Sequence, residues 1–224
     1  MTQVAPIPFI VAIDGPAAAG KGTLARRLAE EFELAYLDTG GLYRAVAARL
    51  LAAGGTPEDG VAAASAADNL CAADLDRSDL RAEAVGAAAS QVSAQPAVRV
   101  ALLAFQRGFA HDPPQGYRGA ILDGRDIGTV VCPEACAKLF VTASLEERAR
   151  RRHEELRTRG LDSIYADVLQ DMQTRDARDA ARDIAPLTAA PDAYTLDTSR
   201  LSVEDALREA RAVIRRRCLG EPGT

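Results

Sequence analysis

The apolar run Ile7 to Asp14, "IPFIVAID", leads directly into Gly15-Pro-Ala-Ala-Ala-Gly-Lys-Gly-Thr23, "GPAAAGKGT". A continuous β-branched and aromatic run that stops at a glycine turn reads as a buried strand, here Ile7 to Ile13. Beyond the turn, Leu24, Leu28 and Phe32 recur four residues apart, a helix stripe with Arg26, Arg27, Glu30 and Glu31 elsewhere. Strand, glycine loop and helix is the setting in which G-x-x-x-x-G-K-[ST] cradles phosphate. Backbone N–H groups point inward at the start of such a helix, and its dipole favours negative charge. Glycine permits the turn and lets backbone approach oxygen closely. Gly22 stands where Ser or Thr is usual, leaving Thr23 one position later. The rival reading is a purely structural turn. Lysine usage argues against it: Lys21 and Lys138 are the only lysines beside 25 arginines, and one of the two fills the slot the loop requires.

The rest of the chain alternates in the same way. "LAYLD" (Leu34 to Asp38) reads as a second strand, leading through "TGGLYR" into a helix to about Ala53. "GGTPEDG" (Gly54 to Gly60) breaks the chain. Val61 to about His111 is alanine-rich and helical in character, punctuated at Ser78-Asp79 and Pro96. After the loop "DPPQGYRG", "AILDGRD" is a third strand, "AKLFVTA" (Ala137 to Ala143) a fourth and "AYTLDTS" (Ala193 to Ser199) a fifth. A helix over "SVEDALREARAVIRR" closes the chain, its Ser202-x-x-Asp205 resembling a capping box. Strands alternating with helices predict an α/β fold: a five-stranded parallel sheet covered on both faces.

Composition narrows the function classes. With 224 residues the chain is one medium domain or a core with insertions, and no apolar run approaches the ~20 residues of a membrane span. No basic patch precedes the first apolar run, so no signal peptide is expected, and a cytoplasmic location is. A net charge of −5 argues against binding nucleic acid or acidic lipid. Cys71, Cys132, Cys136 and Cys218 lack paired zinc spacing, and a chain this long needs no disulfide staples. Cys132-Pro-Glu-Ala-Cys136 allows a redox or metal pair, but four reduced thiols are expected. His111 and His153 lie in helical or charged stretches and read as structural or solvated.

The K-G-T form of the loop resembles that of nucleoside monophosphate kinases. A GTP switch would need Asn/Thr-Lys-x-Asp to read guanine, and Lys138 in "AKLF" supplies none. Over nearly the whole chain, "IDGPAAAGKGT", "LDTGGLYR", "ASQVSAQPAVR", "LDGRDIGTVVCP" and "RDARDAARDIAPL" together resemble bacterial-type cytidylate kinases. The resemblance implies one three-layer P-loop kinase domain over residues 1–224. It carries an acceptor-binding insert at about 55–115 and a short arginine-rich lid at about 148–162. It also implies ATP as donor, CMP or dCMP as acceptor, Mg²⁺ as cofactor, no nucleic-acid or membrane partner, and a monomer.

On the donor side, Gly15, Pro16, Ala17, Ala18, Ala19, Gly20, Gly22 and Thr23 would form the cradle, and Lys21 would reach the β- and γ-phosphates. Asp123 ends a hydrophobic strand and, with Thr23, would orient Mg²⁺ through water. A buried structural carboxylate is the alternative for Asp123. The acceptor, already a phosphate dianion at neutral pH, needs no catalytic base, so catalysis is positioning and charge neutralisation.

By the same resemblance, Arg44 and Arg125 hold the acceptor phosphate by bidentate geometry, with Thr39 and Tyr43 beside them. Arg125 also lies just past a strand's carboxyl end, where ligands bind in open α/β sheets, whereas Arg44 has a solvated cation as its alternative. Cytosine offers a donor at N4 beside acceptors at N3 and O2, so Asp126 with donors from Ser90 and Arg99 would select it over uracil. A helix-end hydroxyl and a surface cation are the bland alternatives for Ser90 and Arg99.

Ser144 to Glu147 resembles a capping box, after which Arg148, Arg151 and Arg152 share one helix face until Gly160. They suit a lid folding over ATP, against the alternative of a solvated helix with interspersed glutamates. Arg175, Arg178 and Arg182 lie at i, i+3 and i+7. The resemblance gives Arg175 and Asp179 to the acceptor sugar, and Arg178 or Arg182 to the phosphoryl group in flight.

Longer family members hold a small antiparallel sheet where this chain has "NLCAADLDRSDLRAEAVGAAAS" (Asn69 to Ser90), so a mostly helical insert is expected. The rival functions are a UMP or small-metabolite kinase, and a nucleotide-gated binding module.

Overall fold

Every second residue of the first strand faces the same way, and both of its faces are apolar. In the computed structural model, which describes residues 9–181 and 186–221, β1 (Phe9–Asp14) buries Ile10 and Ala12 toward one layer of helices and Val11 and Ile13 toward another. A strand hydrophobic on both faces belongs at the centre of a covered parallel sheet. β2 (Ala35–Asp38), β3 (Gly119–Gly124), β4 (Ala137–Thr142) and β5 (Tyr194–Asp197) complete it, all parallel, in the order β2-β3-β1-β4-β5. Ile7 and Pro8, at the head of the expected first strand, lie outside the described residues.

One face is covered by α1 (Lys21–Phe32) and α9 (Val203–Cys218), packing Leu24, Leu28 and Phe32 with Leu207, Val213 and Ile214 against the sheet. Opposite lie α2 (Thr39–Ala52), α3 (Gly60–Asp68), α5 (Glu83–Val92) and α6 (Pro96–His111). Between α3 and α5 run a single turn, α4 (Ala72–Leu75), and a 3₁₀ turn, Ser78–Arg81. No strand interrupts these helices among the described residues, so the segment is helical as expected. α7 (Leu145–Thr158) and α8 (Tyr165–Ala180) form a separate hairpin whose small core is Ala149, Leu156, Val168 and Met172. Ala17 and Ala18 of the glycine loop pack against that core, so the hairpin sits directly on the loop. None of the described helices is long and apolar enough to cross a membrane.

The cysteine expectation needs correcting. Cys136, just ahead of β4, is disulfide-bonded to Cys218 at the end of α9, while Cys71 and Cys132 remain thiols. This pair is 82 residues apart in sequence, so no close spacing marks it, and it is joined because α9 packs back along β4.

Candidate active site

β1 and β3 are neighbours in register, Asp14 opposite Gly124, so the segments that follow them leave the sheet side by side at its carboxyl edge. After β1 comes the glycine loop. Gly15 has φ 144°, and a Cβ there would lie 1.9 Å from the Val141 carbonyl oxygen, so only glycine fits. Ala18 and Gly20 are also left-handed, at φ 58° and 91°, curling the chain into the start of α1. Lys21 is buried and donates to the Pro16 carbonyl at 2.8 Å, its ammonium folded over the loop. Burial, with Arg125 nearby, pulls that ammonium below the usual lysine range, while Asp123 and Asp14 oppose the fall.

Asp123 is buried on β3 and accepts from the Tyr36 hydroxyl at 3.2 Å. Its backbone carbonyl accepts from the Thr39 hydroxyl at 2.7 Å. Burial, then the nearby Asp38, pushes its carboxyl above the usual range, and Lys21, Tyr36 and Arg125 counteract this. Burial and the two carboxylates push the Tyr36 phenol upward, so it stays protonated and donates. A Cβ added at Gly22 would sit 3.4 Å from Asp123 Oδ2, so the glycine leaves that space open beside the carboxylate. A buried carboxylate with open space next to a phosphate loop suits a hard, oxygen-seeking cation such as Mg²⁺. Thr23, expected to share that role, is exposed and its side chain makes no hydrogen bond among the described residues.

The segment after β3 carries the acceptor candidates. Arg125 donates from Nε to Asp179 Oδ2 at 3.1 Å, tying it to α8. Arg175, one turn back on α8, has a buried Nε with no partner among the described residues. Burial and then Arg125 lower its pKa to about 10, with Arg44 and Arg152 adding to the fall and Asp179 opposing it. Arg44 donates to the Leu80 carbonyl at 3.3 Å, and burial lowers its pKa too, with Arg152 and Arg125 contributing. Four guanidiniums from four elements thus crowd into one place, with fewer carboxylates than cations, and an anion would relieve them. Tyr43 is half-buried against the same core. At the other end of the segment, Asp126 is ion-paired with Arg99 of α6, both side chains 10% exposed or less. Arg99 also donates to the Ser93 carbonyl at 3.3 Å, and Ser90 lies buried on the last turn of α5.

The α7–α8 hairpin departs from the expected pattern. Arg148 was expected to fold over ATP. It is instead buried, bidentate to Asp176 at 3.2 and 2.6 Å, and donates to the Ala143 and Ala17 carbonyls at 2.9 and 3.4 Å. It braces the glycine loop from behind, because the hairpin packs on that loop. Arg151 donates to Glu147, Thr198 Oγ1 and the Thr198 carbonyl, with its Nη1 3.8 Å from where a Gly20 side chain would begin. Arg152 pairs with Glu155 at 2.9 Å and faces the Arg44–Arg175 cluster. Arg175 and Arg178 do not share a buried face. The inward stripe of α8 is Val168, Met172, Arg175 and Asp179, which leaves Arg178 exposed and outside the described contacts of the site. Arg182 lies outside the described residues. His111 and His153 hydrogen-bond Arg107 and Ser163 and take no part in the site.

Sequence reasoning overlooked Tyr36, Asp176, Thr198 and above all Asp14. Asp14 is a strand-ending acid in "IVAID", the same signal that singled out Asp123 in "AILD". It is buried, accepts from the Ile127 and Gly128 amides at 2.7 and 2.8 Å, and burial pushes its carboxyl up to about 6.

A sequence model described as cytidylate kinase matches residues 11–216. Similar proteins include a cytidylate kinase of Rhodospirillum rubrum, 57% identical over 92% of this chain and 97% of its own length. One of Paramagnetospirillum magneticum is 58% identical over 92% and 97%, and one of Xanthobacter autotrophicus 54% identical over 95% and 100%. Among solved structures, an uncharacterized protein from Eubacterium ventriosum aligns over 93% of this chain and 99% of its own, with a TM-score of 0.55 and 14% identity, a likeness of fold. With matches that run almost end to end and span the loop, the acceptor segment and α8, the chain belongs to the cytidylate kinase family.

Proposed function

We propose that the protein transfers the γ-phosphoryl group of ATP to CMP or dCMP, giving the corresponding diphosphate. The observation that carries this reading is the single segment Asp123-Gly-Arg-Asp126, which sets three kinds of group beside the phosphate loop. Asp123 stands against Gly22, Arg125 enters the arginine cluster, and Asp126 pairs with Arg99 at the far end. A carboxylate next to a guanidinium is a paired acceptor and donor, the complement of cytosine's N4 donor and N3 or O2 acceptor. Uracil reverses that order and would face Asp126 with a carbonyl.

Phosphoryl transfer then needs little from the protein beyond position and charge. Loop amides and Lys21 hold the donor phosphates, Arg44 and Arg125 hold the acceptor dianion, and Arg175 with Asp179 meets the acceptor sugar. The two anions meet in the interval between Lys21 and Arg125, two groups close enough that Arg125 lowers the proton affinity of Lys21. Magnesium bound with ATP would supply further neutralisation of phosphate charge, with Asp123 as the residue to orient it. Arg151 closes the donor side from the α7–α8 hairpin, Arg152 faces the acceptor cluster beside Arg44 and Arg175, and Asp179 holds Arg125 in place.

The test is an ADP-release assay over a panel of monophosphates. ADP formation should depend on acceptor and favour CMP and dCMP over UMP. Acceptor-independent hydrolysis would instead indicate a nucleotide-gated module, and a preference for UMP or for a non-nucleotide acceptor would point to one of the other kinases.

A further inference from the structure

The turn that carries the acceptor groups is capped from a different strand. Past Asp126 the chain winds into a π-helical turn, Ile127–Val131, whose first carbonyl, that of Asp126, accepts from the Val130 and Val131 amides at 2.9 and 3.2 Å. The first amides of such a turn have no partner within it. Here those amides, Ile127 and Gly128, donate to the two oxygens of Asp14, one each. Asp14 in turn immediately precedes Gly15, the first residue of the phosphate loop. One carboxylate thus touches the donor loop through the chain and the acceptor segment through space, 113 and 114 residues away. From α6, Arg107 holds the far end of the same turn, donating to the Val131 and Val130 carbonyls at 3.0 and 2.9 Å.

We infer that Asp14 is a positioning residue for the acceptor: by capping the Ile127–Val131 turn it fixes the direction in which Arg125 and Asp126 leave β3, and so sets acceptor affinity and base choice. This rests on the reading that Arg125 and Asp126 receive a cytidine monophosphate. It goes further in assigning their geometry to a residue on the donor strand. Asn is the informative replacement. It keeps the size of Asp14 but puts an N–H₂ opposite one of the two amides, where two donors meet and the bond is lost. Gly128→Ala reaches the same contact from the other side, since the added carbon would lie 3.4 Å from Asp14 Oδ2 and 3.1 Å from Lys138 Cδ.

The experiment measures binding of CMP, of UMP and of a non-hydrolysable ATP analogue by calorimetry, with steady-state kinetics, on the wild type and both variants. Asp14→Asn should weaken CMP by about tenfold or more and shrink the CMP-over-UMP preference several-fold, because a shift of about an ångström in positioned groups has effects of that size. Asp14 also faces the Lys21 ammonium, so Asp14→Asn is read on the CMP-over-UMP preference, whereas Gly128→Ala keeps the carboxylate and should weaken CMP less while leaving the ATP analogue within about twofold. Equal losses for ATP analogue and CMP in Gly128→Ala, or an unaltered CMP-over-UMP preference in Asp14→Asn, would overturn the assignment by reducing Asp14 to a general structural role. If Asp14→Asn does not fold, Gly128→Ala decides by the same split. The wild-type arm separates the two levels: a wild type indifferent to CMP refutes the kinase reading, whereas a CMP-dependent wild type with no split in the variants refutes only the role of Asp14.

Discussion

The proposed donor and acceptor sides of this site are built by opposite means. The donor cradle is one continuous stretch, Gly15 to Thr23, working through backbone amides, left-handed turns and a single ammonium. The acceptor side is assembled from side chains on α2, α5, α6, α8 and the end of β3, which meet only because the sheet and insert bring them together. Backbone cradles depend on local sequence. Side-chain clusters depend on tertiary packing, and every cation added to one makes the next harder to hold until an anion arrives.

This contrast can be broken experimentally, beginning with the largest effect. Lys21→Met removes the one side-chain charge of the donor cradle, and turnover should fall by about 10²–10³-fold with the fold intact by circular dichroism. Preserved turnover would mean that the backbone alone suffices. Next comes the proton linkage of Asp14, whose folded-state value of about 6 lies above the ordinary 3.8. A carboxyl raised in this way binds its proton more tightly when folded. It favours the folded state below pH 3.8, and that contribution is lost as pH rises to about 6. The change is about 3 kcal/mol, readable as the difference in urea stability between wild type and Asp14→Asn at the two ends of that window. A constant difference would show that the group titrates normally.

Asp126→Ala tests the acceptor side and should cost about 1–3 kcal/mol of CMP-over-UMP discrimination in kcat/KM. Equal relative losses for both substrates would remove Asp126 from base reading. Smallest is Tyr36→Phe, which deletes one hydrogen bond to Asp123. It should cost about 0.5–1.5 kcal/mol, appearing as a raised magnesium requirement with the KM for CMP unmoved. A change in CMP affinity instead would place Tyr36 on the acceptor side.

The same contrast governs what could be read from residues alone. The five strands, the stripe of α1 and the whole donor loop were legible because period, glycine placement and lysine scarcity are local signals. Arg125, Asp126 and Arg99 were reached through family resemblance, and no spacing in the chain says that Arg99 meets Asp126. Residues held by tertiary partners escaped. The amide partners of Asp14 lie 113 and 114 residues on, and the partner of Arg148, Asp176, sits on another helix, so neither tie shows in local spacing. Helical spacing put Arg178 with Arg175, but the buried stripe of α8 selects Arg175 and Asp179. The disulfide between Cys136 and Cys218 was invisible for the same reason.

The helices stacked over one face of the sheet meet through alanine: Ala47 and Ala48 on α2, Ala63, Ala66 and Ala67 on α3, and Ala88 and Ala89 on α5 are all buried. Methyl groups have no rotamers to lose and scarcely interlock across a helix interface, so a lobe faced with them resists sliding far less than one keyed together by leucine. Arg44 and Arg99 ride on that lobe, while Lys21 and Asp123 stay with the rigid sheet. What keys that lobe to the sheet is therefore the few larger side chains among the alanines, Val46, Leu50, Val92 and Leu102.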